Sequence, residues 1–241
     1  MQRIKIGYID YPDLRDEEEV AQFIQQAVWE PGDILEMSDD IKKEFIEYVK
    51  KSANAGNEHV MNQLGAMYME GIIVEKDMKK GFLWYSKAAE WGNMLATSNL
   101  GFCYLYGRGT EVNEEEAFRH FAKAAIWGYG DAYVRLGDMY QYGKYVKRDQ
   151  KTALKLYYDA FHIAEKDLED WGNQQVYSDV CRRIGECFFY GNGVKEDLIK
   201  ALEFCTKAVE FYSAREKKGD AYSAEGFAKT KEMIAGILSE I

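Results

Sequence analysis

Apolar residues recur along the chain at spacings of three and four, which is the pattern of helices with one buried face. Val60, Leu64 and Tyr68 stand at i, i+4 and i+8 and therefore lie on one stripe of a helix, called helix A below. A second stripe follows at i, i+3, i+4 and i+7 and defines helix B; it consists of Gly81, Trp84, Tyr85 and Ala88. The pattern therefore predicts a helix–loop–helix unit.

This unit occurs four times. The segment that begins Leu64-Gly65 and ends in Tyr68 returns with its first residue at Leu100, Leu136 and Ile184, at intervals of 36, 36 and 48 residues. A glycine stands seven residues after each of these positions, at Gly71, Gly107, Gly143 and Gly191. An Asp or Asn stands thirteen residues after, at Asp77, Asn113, Asp149 and Asp197. We expect the glycine to end helix A in a left-handed conformation and the Asp or Asn to cap helix B.

The glycine that follows each Leu or Ile, such as Gly65, would let a neighbouring helix approach closely. One such unit cannot cover its own apolar faces, so neighbouring units must stack, as in an α-solenoid. The pattern A-x-x-x-L-G-x-x-Y-x-x-G-x-G-V-x-x-D-x-x-x-A resembles the Sel1-like repeat, a relative of the tetratricopeptide repeat. The resemblance is specific in the second unit, which has Ala96, Leu100, Gly101, Tyr104, Gly107, Gly109, Asn113, Ala117, Phe121 and Ala124.

The resemblance implies an all-α fold, a right-handed α-solenoid of stacked helix-turn-helix repeats with capping helices at both ends. We assign residues 1–37 to an N-terminal extension and capping helix, 38–215 to the repeats and 216–241 to a C-terminal capping helix. The repeats divide into a degenerate unit at 38–56 and full units at about 57–92, 93–128, 129–172 and 173–215. The second loop glycine of the family pattern is replaced by Ile73 in the first full unit and Tyr145 in the third.

Smaller features complete the predicted organisation. A helix is expected over 13–28, broken by Pro31-Gly32, and residues 3–9 alternate as in a short extended arm. Twelve extra residues at about 164–175 are expected to lengthen the flanking helices by a turn or two each and to introduce a bend or step.

The composition and charge of the chain argue against several classes of function. The chain is 47% apolar and 30% charged with two prolines, as in folded soluble proteins. Its net charge of −10 argues against nucleic acid and anionic membranes as partners, since both require basic surfaces. The N-terminus does not resemble a signal peptide, and no apolar run has the length of a membrane span, so we expect a cytoplasmic protein with reduced cysteines.

No catalytic, metal or cofactor site is predicted. His59, His120 and His162 do not have ligand spacing, and the four cysteines do not form a zinc pattern. Gly107-Arg108-Gly109 falls in a predicted A–B turn and lacks the context of a phosphate loop. We expect His120 to pack within helix B and Cys103 and Cys187 to lie in the core; a contact between Cys187 and Cys205 remains open.

The candidate site is a partner-binding surface. In tetratricopeptide-like solenoids helix A lines the concave face, and the resemblance places candidate contact residues at Asn62, Glu70, Phe102, Tyr106, Asp138, Tyr142, Arg182, Glu186 and Tyr190. Three of them form a tyrosine ladder that packing does not require, because Tyr68 and its equivalents already fill the core position. Tyrosine is a frequent anchor at recognition surfaces. Alternatively, these rings only cover the helix ends beside the loops.

Three functions are compatible with these features. The first is a non-enzymatic scaffold that binds another protein or a peptide, basic or neutral in charge, on the helix-A surface. The second is an inhibitor, immunity or regulatory protein for one basic partner. The third, a β-lactam-binding or β-lactam-hydrolysing protein, is disfavoured, since the secreted Sel1-like proteins associated with that activity have a cysteine pair in each repeat and a leader. The oligomeric state is left open.

Overall fold

The computed structural model describes residues 4–6, 9–11, 17–29, 38–217 and 223–241. Two short strands, β1 (Ile4–Ile6) and β2 (Ile9–Tyr11), pair antiparallel. All other regular structure in the described residues is helical: α1 Glu17–Trp29, α2 Asp39–Asn54, α3 Glu58–Glu70, α4 Met78–Glu90, α5 Met94–Tyr106, α6 Glu114–Ile126, α7 Gly130–Tyr142, α8 Gln150–Ala164, α9 Trp171–Tyr190, α10 Leu198–Lys217 and α11 Ser223–Glu240. The predicted all-α class is confirmed, and the extended arm is one strand of a two-stranded sheet.

The four repeats have the predicted helix pairs. Helix A is α3, α5, α7 and α9, and helix B is α4, α6, α8 and α10. The predicted helix over 13–28 corresponds to α1, while Pro31, Gly32 and the start of that prediction lie outside the described residues. The chain divides into two compact units, Met1–His120 (unit 1) and Phe121–Ile241 (unit 2), with the boundary inside α6.

Helix A ends where the glycines predict. Gly71, Gly107, Gly143 and Gly191 all have left-handed backbones with φ between 67° and 76°. Asp77 caps α4 because its Oδ1 accepts a hydrogen bond from the Lys80 N–H at 3.0 Å, and Asn113, Asp149 and Asp197 cap their helices in the same way. The predicted ends of helix A and caps of helix B are confirmed.

The glycine after the Leu or Ile is a point of close contact between helices A and B. A Cβ atom added at Gly65 would lie 2.5 Å from the ring of Tyr85, and one at Gly137 would lie 2.4 Å from the ring of Tyr157. At Gly185 the nearest atom would be the Cys205 Sγ, at 2.7 Å. These distances are too short for any side chain, so the glycines set the spacing of these three helix pairs as predicted.

The twelve extra residues are divided unequally. Helix α9 has 20 residues where α3, α5 and α7 have 13, a gain of about two turns. Helix α8 has 15 residues, only two more than α4. The rest of the insert connects them at 165–170, where Asp170 caps α9 through the Asn173 N–H. The predicted lengthening is therefore confirmed for α9, whereas α8 gains only two residues, less than the predicted turn.

Each unit has its own apolar core. In unit 1, Val20 and Ile24 of α1 are buried together with Phe45, Val49 and Leu64. In unit 2 the buried residues of α11, which include Phe227, Met233 and Ile237, belong to the same core as α10 and α9. Both ends of the described repeats are therefore covered by a further helix, which a repeat protein requires because its terminal units lack a neighbour.

Candidate partner-binding surface

The nine candidate contact residues all lie on helix A of their repeats. In unit 1, Asn62 and Glu70 lie on α3, whereas Phe102 and Tyr106 lie on α5. In unit 2, Asp138 and Tyr142 lie on α7, and the last three, Arg182, Glu186 and Tyr190, lie on α9.

The three ladder tyrosines are exposed. Tyr106, Tyr142 and Tyr190 retain 59%, 67% and 62% of their accessible surface, although tyrosine is usually at least half-covered in folded proteins. The tyrosine two positions earlier in each of the first three helices, such as Tyr140, is half-buried, and its equivalent Phe188 is buried. Packing of helix A therefore does not account for the exposed rings.

In unit 1 the surface is mostly uncharged. The Tyr106 ring stacks on Phe102, with ring centroids 6.3 Å apart and planes 14° from parallel. Asn62 is buried, and its Oδ1 accepts a hydrogen bond from the Asn99 Nδ2 at 2.9 Å. Glu70 forms an ion pair with Arg108 of the A–B loop. The pairing partners Asn99 and Arg108 come from the next repeat, and the repeat register alone does not reveal them.

In unit 2 an ionic network lies on the same face. The Asp138 carboxylate accepts hydrogen bonds from the Tyr157 hydroxyl at 2.8 Å and from Arg183 Nε and Nη2 at 2.7 and 2.8 Å. Arg135 lies 3.6 Å from Asp138 and 2.7 Å from Asp131. Burial alone would raise the pKa of Asp138, but Arg183 and Arg135 outweigh it and hold the pKa below its ordinary value. Asp138 is therefore charged and largely occupied by neighbouring side chains.

A second group of charges lies beside Tyr142. Arg182 and Glu186, one helical turn apart on α9, form an ion pair. Partial burial raises the pKa of Tyr142, and the carboxylates of Glu186 and Asp138 raise it further. Tyr212 donates a hydrogen bond to Asp179 at 2.6 Å. The carboxylates on this face are thus matched by arginine or tyrosine donors, so the face is close to neutral despite the net charge of the chain.

His120 and the four cysteines have the environments of packing residues. His120 stacks on Tyr104 with centroids 5.5 Å apart, and Asn93 contacts His59 at 3.2 Å. The cysteines Cys103, Cys181, Cys187 and Cys205 are buried and free, and burial raises the pKa of each thiol to about 12. Cys205 packs over Gly185. Such thiols carry almost no nucleophilic thiolate at neutral pH.

The described residues contain no group of three or more His, Cys, Asp and Glu side chains that could hold a metal ion. Across the same residues, every helix is too short or too polar to cross a membrane.

Stacked helix pairs with a fixed glycine and capping pattern define this chain as a helical repeat protein. The family model for the Sel1 repeat matches it at residues 59–93, 95–126, 130–160 and 178–210, which together are more than half of the chain. The chain therefore belongs to the Sel1 repeat family. Proteins of this family generally act as scaffolds for protein interactions, and their repeat is a non-catalytic fold.

Solved structures show the same fold. A Sel1 repeat protein from Oxalobacter formigenes is 19% identical, with a TM-score of 0.65 over 93% of this chain and 85% of that one. The protective antigen c5321 of uropathogenic Escherichia coli, which has an SLR fold, is 20% identical, with a TM-score of 0.54 over 93% of this chain and 54% of that one. No curated protein matches the chain significantly.

Proposed function

We propose that this chain is a non-enzymatic scaffold that binds a segment of another protein, or a peptide, on the helix-A surface. The observation that carries the proposal is the exposure of Tyr106, Tyr142 and Tyr190 at one repeat position, where packing of the fold does not need them. Tyrosine gives a large contact area and a hydroxyl for hydrogen bonding at a small loss of side-chain entropy.

The charge of this surface favours a neutral segment over a strongly basic one. In unit 2, Asp138 is bonded to Arg183, and Glu186 is paired with Arg182, so neither carboxylate is free for an incoming lysine or arginine. Within the proposal, Tyr142 and Tyr190 are the anchors, while the ion pairs fix the positions of the helices around them. Asn62 and Asp138 hold the surface in place rather than contact the partner, since the side chain of each is hydrogen-bonded to a neighbouring repeat.

The proposed compartment is the cytoplasm. Four buried thiols that are not joined in disulfides fit a reducing environment, in which structural disulfides are rare. A general adaptor and a dedicated inhibitor of one protein both use such a surface, and the number of partners captured at it separates the two.

Site-specific photo-crosslinking tests the surface directly. The full chain would carry a benzophenone amino acid in place of Tyr142 and, in a matched control, in place of Trp127, which is exposed to the same degree (67%) but lies beyond the end of α6. We expect a discrete protein adduct from position 142 that is absent or much weaker at position 127.

The captured partner then gives an affinity measurement. Truncating an anchoring aromatic residue at an interface costs about 2 kcal/mol or more, so Tyr142→Ala and Tyr190→Ala should each raise the Kd about thirtyfold, whereas Trp127→Ala should not change it. Equal adducts at both positions, or an unchanged Kd in the folded tyrosine variants, would show that the partner does not bind at this surface. A Kd that rises steeply with salt would favour the inhibitor of a basic partner.

A further inference from the structure

Unit 1 contains a cleft on a different surface. It lies between α2 and the A–B loop of the first full repeat and has a volume of about 610 Å³. One wall is a single stripe of α2 that includes Lys42, Ile46 and Lys50, and the other wall is formed by loop residues 73–77 with Tyr68 and Lys80. Ligand sites commonly have volumes of about 300–1,000 Å³.

The cleft has a cause in the sequence. In the second repeat the loop glycine Gly109 touches the first residue of the preceding helix B, since a Cβ atom there would lie 2.0 Å from the Met78 carbonyl oxygen. In the fourth repeat a Cβ at Gly193 would lie 2.2 Å from the Gln150 carbonyl oxygen. Only glycine tolerates this contact.

The first repeat has Ile73 at the same position. It keeps the left-handed backbone, with φ 64°, but its side chain cannot be accommodated so close to a carbonyl oxygen. Ile73 and Asp39, the first residue of α2, both line the cleft. The space that the glycine loop closes in two other repeats is therefore open here.

The cleft is lined by five lysines and four acids, which differ in their exposure. Lys42 and Lys50 are half-buried and form no ion pair with a described residue. Of the four lining acids, Asp77 is paired with Lys80 at 3.0 Å, whereas Asp39, Glu47 and Glu75 are exposed. A lysine whose side chain is half-buried has less conformational freedom to lose on pairing with an incoming carboxylate than a fully exposed side chain has on pairing with an ion, and the resulting charge-assisted hydrogen bond is a strong one.

We propose that this cleft binds an acidic peptide segment of a partner protein, with carboxylates on Lys42 and Lys50 and apolar contacts to Ile46 and Ile73. The two lysines are eight residues apart, which is about 12 Å along a helix. An extended peptide rises about 3.3 Å per residue, so acidic side chains four residues apart, on one face of the strand, match this spacing. The site is separate from the helix-A surface and does not depend on its function.

The probe is fluorescein-labelled hexaglutamate, with hexaglutamine as the uncharged control, and the readout is fluorescence anisotropy on the full chain at low salt. We expect hexaglutamate to bind and hexaglutamine to bind much more weakly. Replacing both lysines, K42Q/K50Q, should weaken hexaglutamate binding about three- to thirtyfold, which corresponds to two partly exposed charge pairs. Equal binding of the two peptides to the wild type would overturn the proposal.

Two further variants separate the cleft from general charge. K147Q/K155Q removes the same charge from exposed lysines in unit 2 and should leave the Kd unchanged. Ile73→Gly keeps every lysine but allows the loop to approach α2, so it should weaken binding as K42Q/K50Q does. If K147Q/K155Q weakened binding equally, or if a folded Ile73→Gly variant bound as the wild type does, the cleft would not be the site.

Discussion

The ion pair between Asp138 and Arg183 should be the most sensitive charged contact in unit 2. The two side chains are only 24% and 12% exposed, and three hydrogen bonds converge on the Asp138 carboxylate. Removing one partner of a buried pair costs about 3–5 kcal/mol, because the other charge is left desolvated and unpaired. Asp179 also lies near Arg183 and compensates for part of this loss, so we expect Asp138→Ala to cost about 3 kcal/mol.

Urea unfolding followed by far-UV circular dichroism measures this cost. In a chain of this size, about 3 kcal/mol corresponds to a fall in Tm of about 6–12 °C. Since the two units could unfold separately, amide hydrogen exchange of α7, α8 and α9 should locate the loss in unit 2. Asp40→Ala is the matched control: its carboxylate is 94% exposed and lies 3.8 Å from Lys43, so its removal should cost at most about 1 kcal/mol.

The pH dependence gives a second test. The folded-state pKa of Asp138 is lowered below the ordinary value of 3.8, so the stability from its charge is complete above that value. That stability is lost as the pH falls through the folded pKa. The difference between the wild type and Asp138→Ala should therefore be constant near neutrality and should shrink below about pH 4. If Asp138→Ala were as stable as Asp40→Ala at pH 7, the network around Asp138 would not be a source of stability.

Two backbone predictions follow from the repeat. Gly137→Ala places a Cβ 2.4 Å from the buried Tyr157 ring and should lower the free energy of unfolding, measured in urea, by about 1–3 kcal/mol. In the control Gly236→Ala, in α11, the nearest contact of the new Cβ would be 3.7 Å, so this variant should be slightly more stable than the wild type. Similar results for both variants would show that the close contact at Gly137 is not needed. Tyr145 has a left-handed backbone with φ 60°, so Tyr145→Gly removes backbone strain and should raise the Tm by a few degrees. Lys147 does not have a positive φ, so Lys147→Gly should lower the Tm. A lower Tm for Tyr145→Gly would mean that contacts of the tyrosine ring stabilise the fold by more than the backbone strain destabilises it.

The helices could be predicted because their signals are local. A residue such as Gly107 or Asp149 determines its own backbone or its own cap within four residues, so the sequence specifies where each helix ends. The contact of Gly137 with Tyr157 could also be predicted, since both positions recur in every repeat. Asn57 and Asn93, which cap two A helices, lie 36 residues apart, so these caps also have a signal in the sequence, although it is absent from the family pattern.

The contacts between repeats could not be predicted in the same way. Register placed Asp138 on the helix-A face, but it could not show that Arg183, 45 residues later, reaches its carboxylate. Long side chains have several rotamers, and which neighbour they meet depends on the exact offset of adjacent repeats. The cleft beside α2 is similar: Ile73 was visible as a departure from the pattern, yet its consequence depends on how close the loop comes to the preceding helix.

These differences bear on where the proposed recognition would reside in this fold. Gly65, Gly137 and Gly185 each contact helix B of their own repeat, so they cannot distinguish one bound protein from another. The Leu or Ile that precedes each of them is nearly constant as well. The position two residues after each of these Leu or Ile residues is Ala66, Phe102, Asp138 and Glu186, and the position two residues before it is equally varied. The earlier position is buried at Asn62, Ser98 and Val134, whereas the later one is half-buried in all four repeats. On the proposed function, the exposed tyrosines would therefore supply most of the binding energy, and the varied half-buried residues would shape the surface around them and so influence the choice of partner.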